Sequence, residues 1–414
     1  MVKLAATIPN GVFTVIETLV ANNFEAYLVG GCVRDGLLGR QTNDWDITTN
    51  ARPDQVQCFF DKVVLTGVDH GTVTVVLDDG QYEVTTYRID VSYTDGRRPD
   101  AVEYTLALGD DLARRDFTVN AIAYDPIKFR LSDPFDGRSD ISVRTIRAVG
   151  IPSHRLQEDG LRSFRAIRFA CTLNFEIEER LAEALATTHD SVRKVSVERI
   201  YIELRKTLTC GQAGRGLRLL HQTGLLRVGL PFLGRLDDSA VSHLATVLDK
   251  VDCAWHLRLA ALLSLSEGKP SQLCKAFKAP NHVQLAVSKI HIAMNWPLSQ
   301  KRTDICDFLA LIGREHWRDG FALRTIIQSE EQPQVEAVLQ TIEKGRLTEL
   351  PLYAKELAVS GHQIMKELSI KPSKRIGLIM DELLKAVWIG QIANNTEDLL
   401  LRSVDINTRM DATK

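Results

Sequence analysis

The chain has 414 residues, 44% hydrophobic and 25% charged, which excludes disordered, collagen-like and small disulfide-stapled classes and predicts several structural units. Its formal charge of −2 advertises no polyanionic partner, yet residues 1–150 hold 15 Lys+Arg against 22 Asp+Glu, a balance of −7 that leaves +5 for the remainder. Seven scattered cysteines without a C-x-x-C pair read as reduced thiols. The sequence carries neither a secretory leader nor a run of about 18 apolar residues, so the expected location is cytoplasmic.

In chain order, strands are predicted at 25–31 (EAYLVGG), 44–49 (DWDITT), 72–79 (TVTVVLDD) and 82–88 (YEVTTYR), each short, β-branched and bounded by Gly, Asp or Asn. Alternation in the last places Glu83, Thr85 and Tyr87 on one face and Tyr82, Val84 and Thr86 on the other. Asp79-Gly80 predicts a tight antiparallel hairpin between the third and fourth strands. From about residue 155 the apolar period becomes three to four, as in LQEDGLRSFRAIRFACTL, SVERIYIELRKTL and SKRIGLIMDELLKAVWIG, so the remainder is predicted to be all-helical. The fold class is α+β: a head with a small mixed sheet, then helices, with joints at PFLG (231–234), KP (269–270) and NWP (295–297).

Asp44 and Asp46 sit two apart on a predicted strand, so both carboxylates project to one face as hard oxygen ligands suited to Mg²⁺. A solvated strand end has the same pattern. Upstream, a strand runs into Gly30-Gly31 and then Arg34, where backbone N–H groups can approach phosphate and a cation can balance it; a plain tight turn is the alternative. Neither a Walker loop nor a G-x-G-x-x-G fingerprint is present. Glu83 offers a third carboxylate that hairpin pairing could bring beside Asp44 and Asp46, a set fit for phosphoryl transfer, although a surface strand residue has the same spacing. In RRDFTVNAIAYD, Arg115, Asp116 and Asn120 combine a phosphate-facing cation with groups able to bond ribose hydroxyls. In EDGLRSFRAIRF, Asp159, Arg162, Arg165 and Arg168 recur every third residue and wind obliquely around a helix, either along an elongated ligand or as solvated ion pairs.

GGCVRDGLLG, NDWDITT, DHGTVTV, YEVTTYR, RRDFTVNAIAYD, DPFDG, EDGLRSFRAIRF and VSVERI occur in the order seen in class II tRNA nucleotidyltransferases, and the chain resembles that family of CCA-adding enzymes and bacterial poly(A) polymerases over residues 25–206. ELAVSGHQIM and GQIANNTEDLL are similar in character further on. The resemblance implies a polymerase-beta-like catalytic head (1–148), a helical neck that recognises the base (149–210), a helical body (211–330) and a tRNA-binding tail (331–414). It implies Asp44 and Asp46 as metal ligands, Glu83 as the third strand carboxylate, and Gly30, Gly31 and Arg34 as phosphate contacts. Arg115, Asp116 and Asn120 match the ribose and phosphate motif, and Asp159 with Arg162 the protein template for the base, beside Arg165 and Arg168. The implied reaction adds C, C and A to the tRNA 3′ end from CTP and ATP with Mg²⁺, gripping the acceptor and TΨC arms.

The segment VSYTDGRRPDAVEY (91–104), with Arg97, Arg98 and Pro99, resembles the flexible loop of full CCA-adding enzymes, which implies A addition. Lys371, Lys374 and Arg375 are tail candidates for phosphate contacts; a solvated helix start is the alternative. An A-adding enzyme or poly(A) polymerase is the competing activity; against polyadenylation stands a C-terminal sequence without a strongly basic tail. A non-catalytic RNA binder would have no use for clustered carboxylates that repel phosphate.

Overall fold

Apolar residues Val12, Val15, Ile16 and Leu19 bury one face of helix α1 (Asn10–Ala21), the 3.6-residue period closing it over the head sheet. The computed structural model describes residues 8–67, 70–90, 102–233, 235–266 and 268–412. The head sheet comprises β1 (Ala26–Val29), β2 (Asp46–Thr49), β3 (Val63–Gly67), β4 (Thr72–Leu77), β5 (Gly80–Thr86), β8 (Ala123–Asp125) and β9 (Arg130–Ser132), in the order β3-β4-β5-β2-β1-β8-β9. Two short strands, β6 (Arg88–Asp90) and β7 (Val102–Tyr104), pair separately. Leu28, Ile47, Val73, Val75, Tyr82 and Val84 form one core with α1, while Val29, Ala121, Ala123, Leu112 and Val149 form a second.

Every neighbouring pair in the large sheet is antiparallel except β2 and β5, which run parallel with Asp46 opposite Glu83. The predicted juxtaposition of these two carboxylates is therefore reached by a crossover, not by hairpin pairing. Helix α3 (Pro53–Phe59) and the β3–β4 pair supply it, since parallel neighbours need a long connection. Helix α2 (Gly31–Leu37) follows β1 directly. The β4–β5 hairpin turns one residue earlier than predicted, because Leu77 pairs with Gly80 and leaves Asp78-Asp79 as the loop. Asp79 is committed there, its carboxylate accepting the Gly11 N–H at 2.7 Å.

After helices α4 (Leu108–Ala113) and α5 (Gly137–Ser142), the chain passes into α6 (Pro152–Glu158), α7 (Leu161–Leu173), α8 (Glu179–Thr187), α9 (Asp190–Arg193) and α10 (Val197–Leu208). The stretch predicted as one helix over 156–173 is broken at Asp159-Gly160. A Cβ on Gly160 would lie 2.4–2.5 Å from the backbone of Ser191 and Val192, so the chain turns where only glycine fits. Among the described residues after 150, Glu176–Ile177 alone is strand, pairing parallel with Thr145–Ile146.

The chain divides into two compact units: Met1–Asp249 with Leu265–Glu267 and Ala276–Lys278, and Lys250–Ser264 with Gly268–Lys275 and Ala279–Lys414. The second unit is helical, and one core holds both Ile305 and Phe308 and, beyond residue 330, Val335, Leu383 and Ile406. The expected body–tail boundary at 330 therefore falls within a continuous core. Trp388 lies in it with its indole N–H donated to the Pro351 carbonyl at 2.7 Å, the partner a buried indole requires.

Candidate active site

β2 opens with Asp46, whose carboxylate is half-buried; Asp44 lies two residues earlier, exposed and just outside the strand. Burial first, then the neighbouring Asp44 and Glu83, push the Asp46 carboxyl up to about 6, with Arg115 acting in the opposite direction. A carboxyl held that high by its neighbours is relieved by a cation, and hard oxygen donors suit a divalent one. In the present side-chain arrangement the three carboxylates do not converge within 4.8 Å of one another, so the set is open.

Beside Asp46 the backbone turns at Gly30, with φ +79°, into α2. A Cβ there would sit 3.2 Å from the Arg115 guanidinium and 3.7 Å from Asp46 Oδ2, so glycine keeps this wall open. Arg34, on α2, donates to Asp35 at 2.9 Å and to the Asn120 Oδ1 at 2.5 Å. Asn120 in turn donates to Asp116 at 3.0 Å, and Asp116 also accepts the Phe117 N–H at 2.8 Å and Arg165 at 2.6–2.7 Å. Burial alone would raise the Asp116 carboxyl; Arg165, Asn120 and Arg162 overcome it and hold the group well below the usual range. Asp116 and Asn120 were expected to face ribose and phosphate. Both line the cleft, and there their oxygens and amide also orient Arg34 and Arg165.

A residue not singled out from sequence performs the same task nearby. Asp111 on α4 is wholly buried and accepts from Arg114 at 2.7 and 2.9 Å, Arg115 at 3.1 Å and the Thr48 hydroxyl at 3.1 Å. Burial opposes its ionisation, but the two guanidinium groups keep its carboxyl lowered. The signal was present in the sequence: Asp111 stands three and four residues before the Arg pair, which is helical spacing.

At the opposite wall, Asp159 lies in the α6–α7 junction, not on the helix that carries Arg162, Arg165 and Arg168, which corrects the continuous oblique series. Its carboxylate accepts the Leu161 N–H at 3.0 Å and Arg199 at 2.8 Å. Arg162 is anchored by Glu158, by the Arg155 carbonyl at 2.9 Å and by the Arg114 carbonyl at 2.9 Å. The Phe169 ring gathers three guanidinium groups, Arg168 at 4.0 Å, Arg34 at 5.0 Å and Arg165 at 5.3 Å. Arg168 also meets the buried Glu203 at 2.8 Å, and burial lowers its ionisation to about 10.

These walls enclose a cleft of about 490 Å³ that brings together every expected site residue except Glu83, which lies on β5 outside the lining. Arg114, Phe169, Arg199 and Lys206 also line it. The first three stand inside the motifs RRD, RAIRF and VSVERI and could have been found there, whereas nothing marks Lys206. Arg97, Arg98 and Pro99 of the expected loop lie outside the described residues. Of the tail candidates, Lys371 and Lys374 are exposed, while Arg375 is engaged by Asp411 at 2.5 Å and by the Asn407 carbonyl at 2.6 Å.

Paired carboxylates at the start of the central strand of a mixed sheet, a glycine turn beside them and a cationic cleft closed by a helical segment define a nucleotidyltransferase. Residues 26–147 match the poly A polymerase head domain, 174–236 an RNA and SrmB-binding site of polymerase A, and 247–402 tRNA nucleotidyltransferase domain 2. The CCA-adding enzyme of Enterococcus faecalis is 36% identical over 406 residues, covering 95% of this chain and 96% of its own. That of Lactobacillus delbrueckii subsp. bulgaricus is 37% identical over 384 residues, covering 92% and 94%. The crystal structure of the Bacillus stearothermophilus CCA-adding enzyme in complex with CTP superposes with a TM-score of 0.79 at 29% identity, covering 97% of this chain and 98% of that one. The chain belongs to the CCA-adding enzyme family of tRNA nucleotidyltransferases.

Proposed function

We infer that this protein adds C, C and A to the 3′ end of tRNA from CTP and ATP, releasing pyrophosphate without a nucleic-acid template. The observation that carries this is the charge of the cleft: eight cationic side chains against four carboxylates, with Asp44 and Asp46 at one wall and Asp159 and Arg162 at the other. A nucleoside triphosphate suits that polarity. Arg34, Arg115 and Arg165, each held by a carboxylate or amide partner, are the triphosphate counter-charges, and Gly30 and Gly31 let it approach the backbone. Asp159 offers acceptors and Arg162 donors to a Watson–Crick edge, and a wrong base leaves such groups unpaired at about 1–3 kcal/mol each.

Asp44 and Asp46 are the residues that would hold Mg²⁺, with Glu83 beside Asp46 on the neighbouring strand. When bound, Mg²⁺ would offset the charge of the triphosphate and the negative charge that develops on the 3′-oxygen as its hydroxyl is deprotonated. In the family reading the 3′-hydroxyl attacks the α-phosphate, and the chain's own contribution is to align base and phosphates between the two walls. The acceptor and TΨC arms of tRNA lie against the helical segments, with residues 331–414 as the tail, and the setting is cytoplasmic.

Incorporation assays with tRNA lacking CCA, tRNA ending in CC, and oligo(A) test this directly. CMP should enter the first, AMP the second, and neither should extend oligo(A). Absence of CMP incorporation would leave an A-adding enzyme, and extension of oligo(A) a poly(A) polymerase. Asp44→Ala with Asp46→Ala should lower transfer on the order of 10³-fold or more while tRNA binding persists. Transfer that survives this double change would refute the metal assignment.

A further inference from the structure

His256, His316 and Asp319 converge in the second unit, each partly buried, with one ligating atom per residue and all three atoms within 4.8 Å of one another. Asp319 Oδ2 lies 3.0 Å from His316 Nδ1 and 3.5 Å from His256 Nε2, and the two imidazole rings sit 5.1 Å apart, inclined at 64°. Bonds of about 2.0–2.2 Å at the tetrahedral angle separate neighbouring ligand atoms by roughly 3.3–3.6 Å. The two observed separations bracket the lower end of that range. Two neutral imidazoles and one carboxylate are borderline donors that favour a d-block divalent cation of the zinc class over Mg²⁺.

The triad also stands on fixed elements. His256 opens the helix Trp255–Leu263, and Asp319 is in the first turn of the helix Trp317–Ile327. His316, immediately before that turn, takes the left-handed conformation at φ +62°. Gly320 seats the second helix closely, since a Cβ there would meet the Ala293 side chain at 2.3 Å and the Ile290 carbonyl at 2.8 Å. His291, on the same helix as Ile290 and Ala293, bonds the Ala260 carbonyl at 3.0 Å and so ties that helix to the one bearing His256. Rigid supports of this kind set a ligand set in place before the ion arrives.

We propose that His256 Nε2, His316 Nδ1 and Asp319 Oδ2 form a zinc-class metal site that braces the second unit, separate from the carboxylates of β2. Partial exposure of all three side chains leaves a fourth position for water. The test is equilibrium dialysis of the full-length chain against Zn²⁺ alone in excess Mg²⁺, with elemental analysis. A Cys58→Ser/Cys253→Ser background removes the two exposed thiols. One Zn²⁺ per chain should bind, should persist in Asp44→Asn/Asp46→Asn, and should be lost in His256→Gln and in Asp319→Asn. Zn²⁺ should raise the thermal midpoint of the parent but not of the His256→Gln chain, whose far-UV circular dichroism reports that it is folded. No bound Zn²⁺, binding that survives both substitutions, or binding that disappears with the β2 carboxylates would overturn the proposal. The first of these outcomes would leave Asp319 as the hydrogen-bond partner of His316, with His256 only 3.5 Å away.

Discussion

Asp111 is placed to govern two of the cleft's cations without lining the cleft itself, because a wholly buried carboxylate can be paid for only by partners, and its partners are Arg114, Arg115 and Thr48. Asp111→Asn should lower stability by about 3 kcal/mol in chemical denaturation and raise KM for both CTP and ATP more than it lowers kcat. An unchanged KM would show that Arg115 keeps its place without this anchor. The sign with pH follows from the lowered carboxyl of Asp111: its stabilisation is complete above the ordinary Asp range and is lost as pH falls through its depressed folded value. The parent should therefore lose stability on acidification more steeply than Asp111→Asn. Asp44 and Asp46 were legible as a pair from their i, i+2 spacing, although Asp44 falls just before β2 where strand alternation no longer sets its face, and Arg34 was legible because it follows a glycine turn. The partners of Asp116 and Asn120 were not legible, since Arg165 and Arg34 come from segments 49 and 86 residues away.

Among elements, the α6–α7 break decides where the proposed base-reading pair stands. Gly160→Ala would drive a methyl group into the Ser191–Val192 backbone, which cannot swing aside as a side-chain tip can. A loss of about 1–3 kcal/mol is expected, together with misincorporation of UMP or GMP as Asp159 and Arg162 separate from Arg199 and Glu158. Gly109→Ala is the control: on α4 a Cβ at that position meets nothing within 4 Å, so the change should be neutral or stabilising by up to about 1 kcal/mol. If the two variants unfold at the same denaturant midpoint and keep the same base selectivity, the junction is not what positions Asp159. Periodicity predicted a helix across 156–173 and was right for Leu161–Leu173, but the break depends on a contact with a segment thirty residues downstream that no local pattern encodes. The β2–β5 pairing is a similar case: alternation placed Glu83 on a face, while the parallel register with Asp46 depends on a crossover.

For the whole molecule, the near-zero net charge is the sum of local opposites. Residues 1–150 carry −7, yet Arg34, Arg114 and Arg115 of that segment line the same cleft as five cations from beyond residue 150. The second unit holds 21 Lys+Arg against 18 Asp+Glu, a modest excess that must act through particular side chains if it grips RNA. tRNA affinity should fall at least about tenfold between 50 and 200 mM salt, because each neutralised phosphate releases counterions. Lys371 and Lys374 are exposed, so Lys371→Gln and Lys374→Gln should each flatten the log–log salt dependence by about one. Arg375 should behave differently, since Asp411 and the Asn407 carbonyl already occupy its guanidinium. Arg375→Gln should lower the thermal midpoint and leave the salt slope as it was. A slope reduced by Arg375→Gln but not by the two lysine changes would reverse this division between the residue that ties two C-terminal helices together and those proposed to meet phosphate.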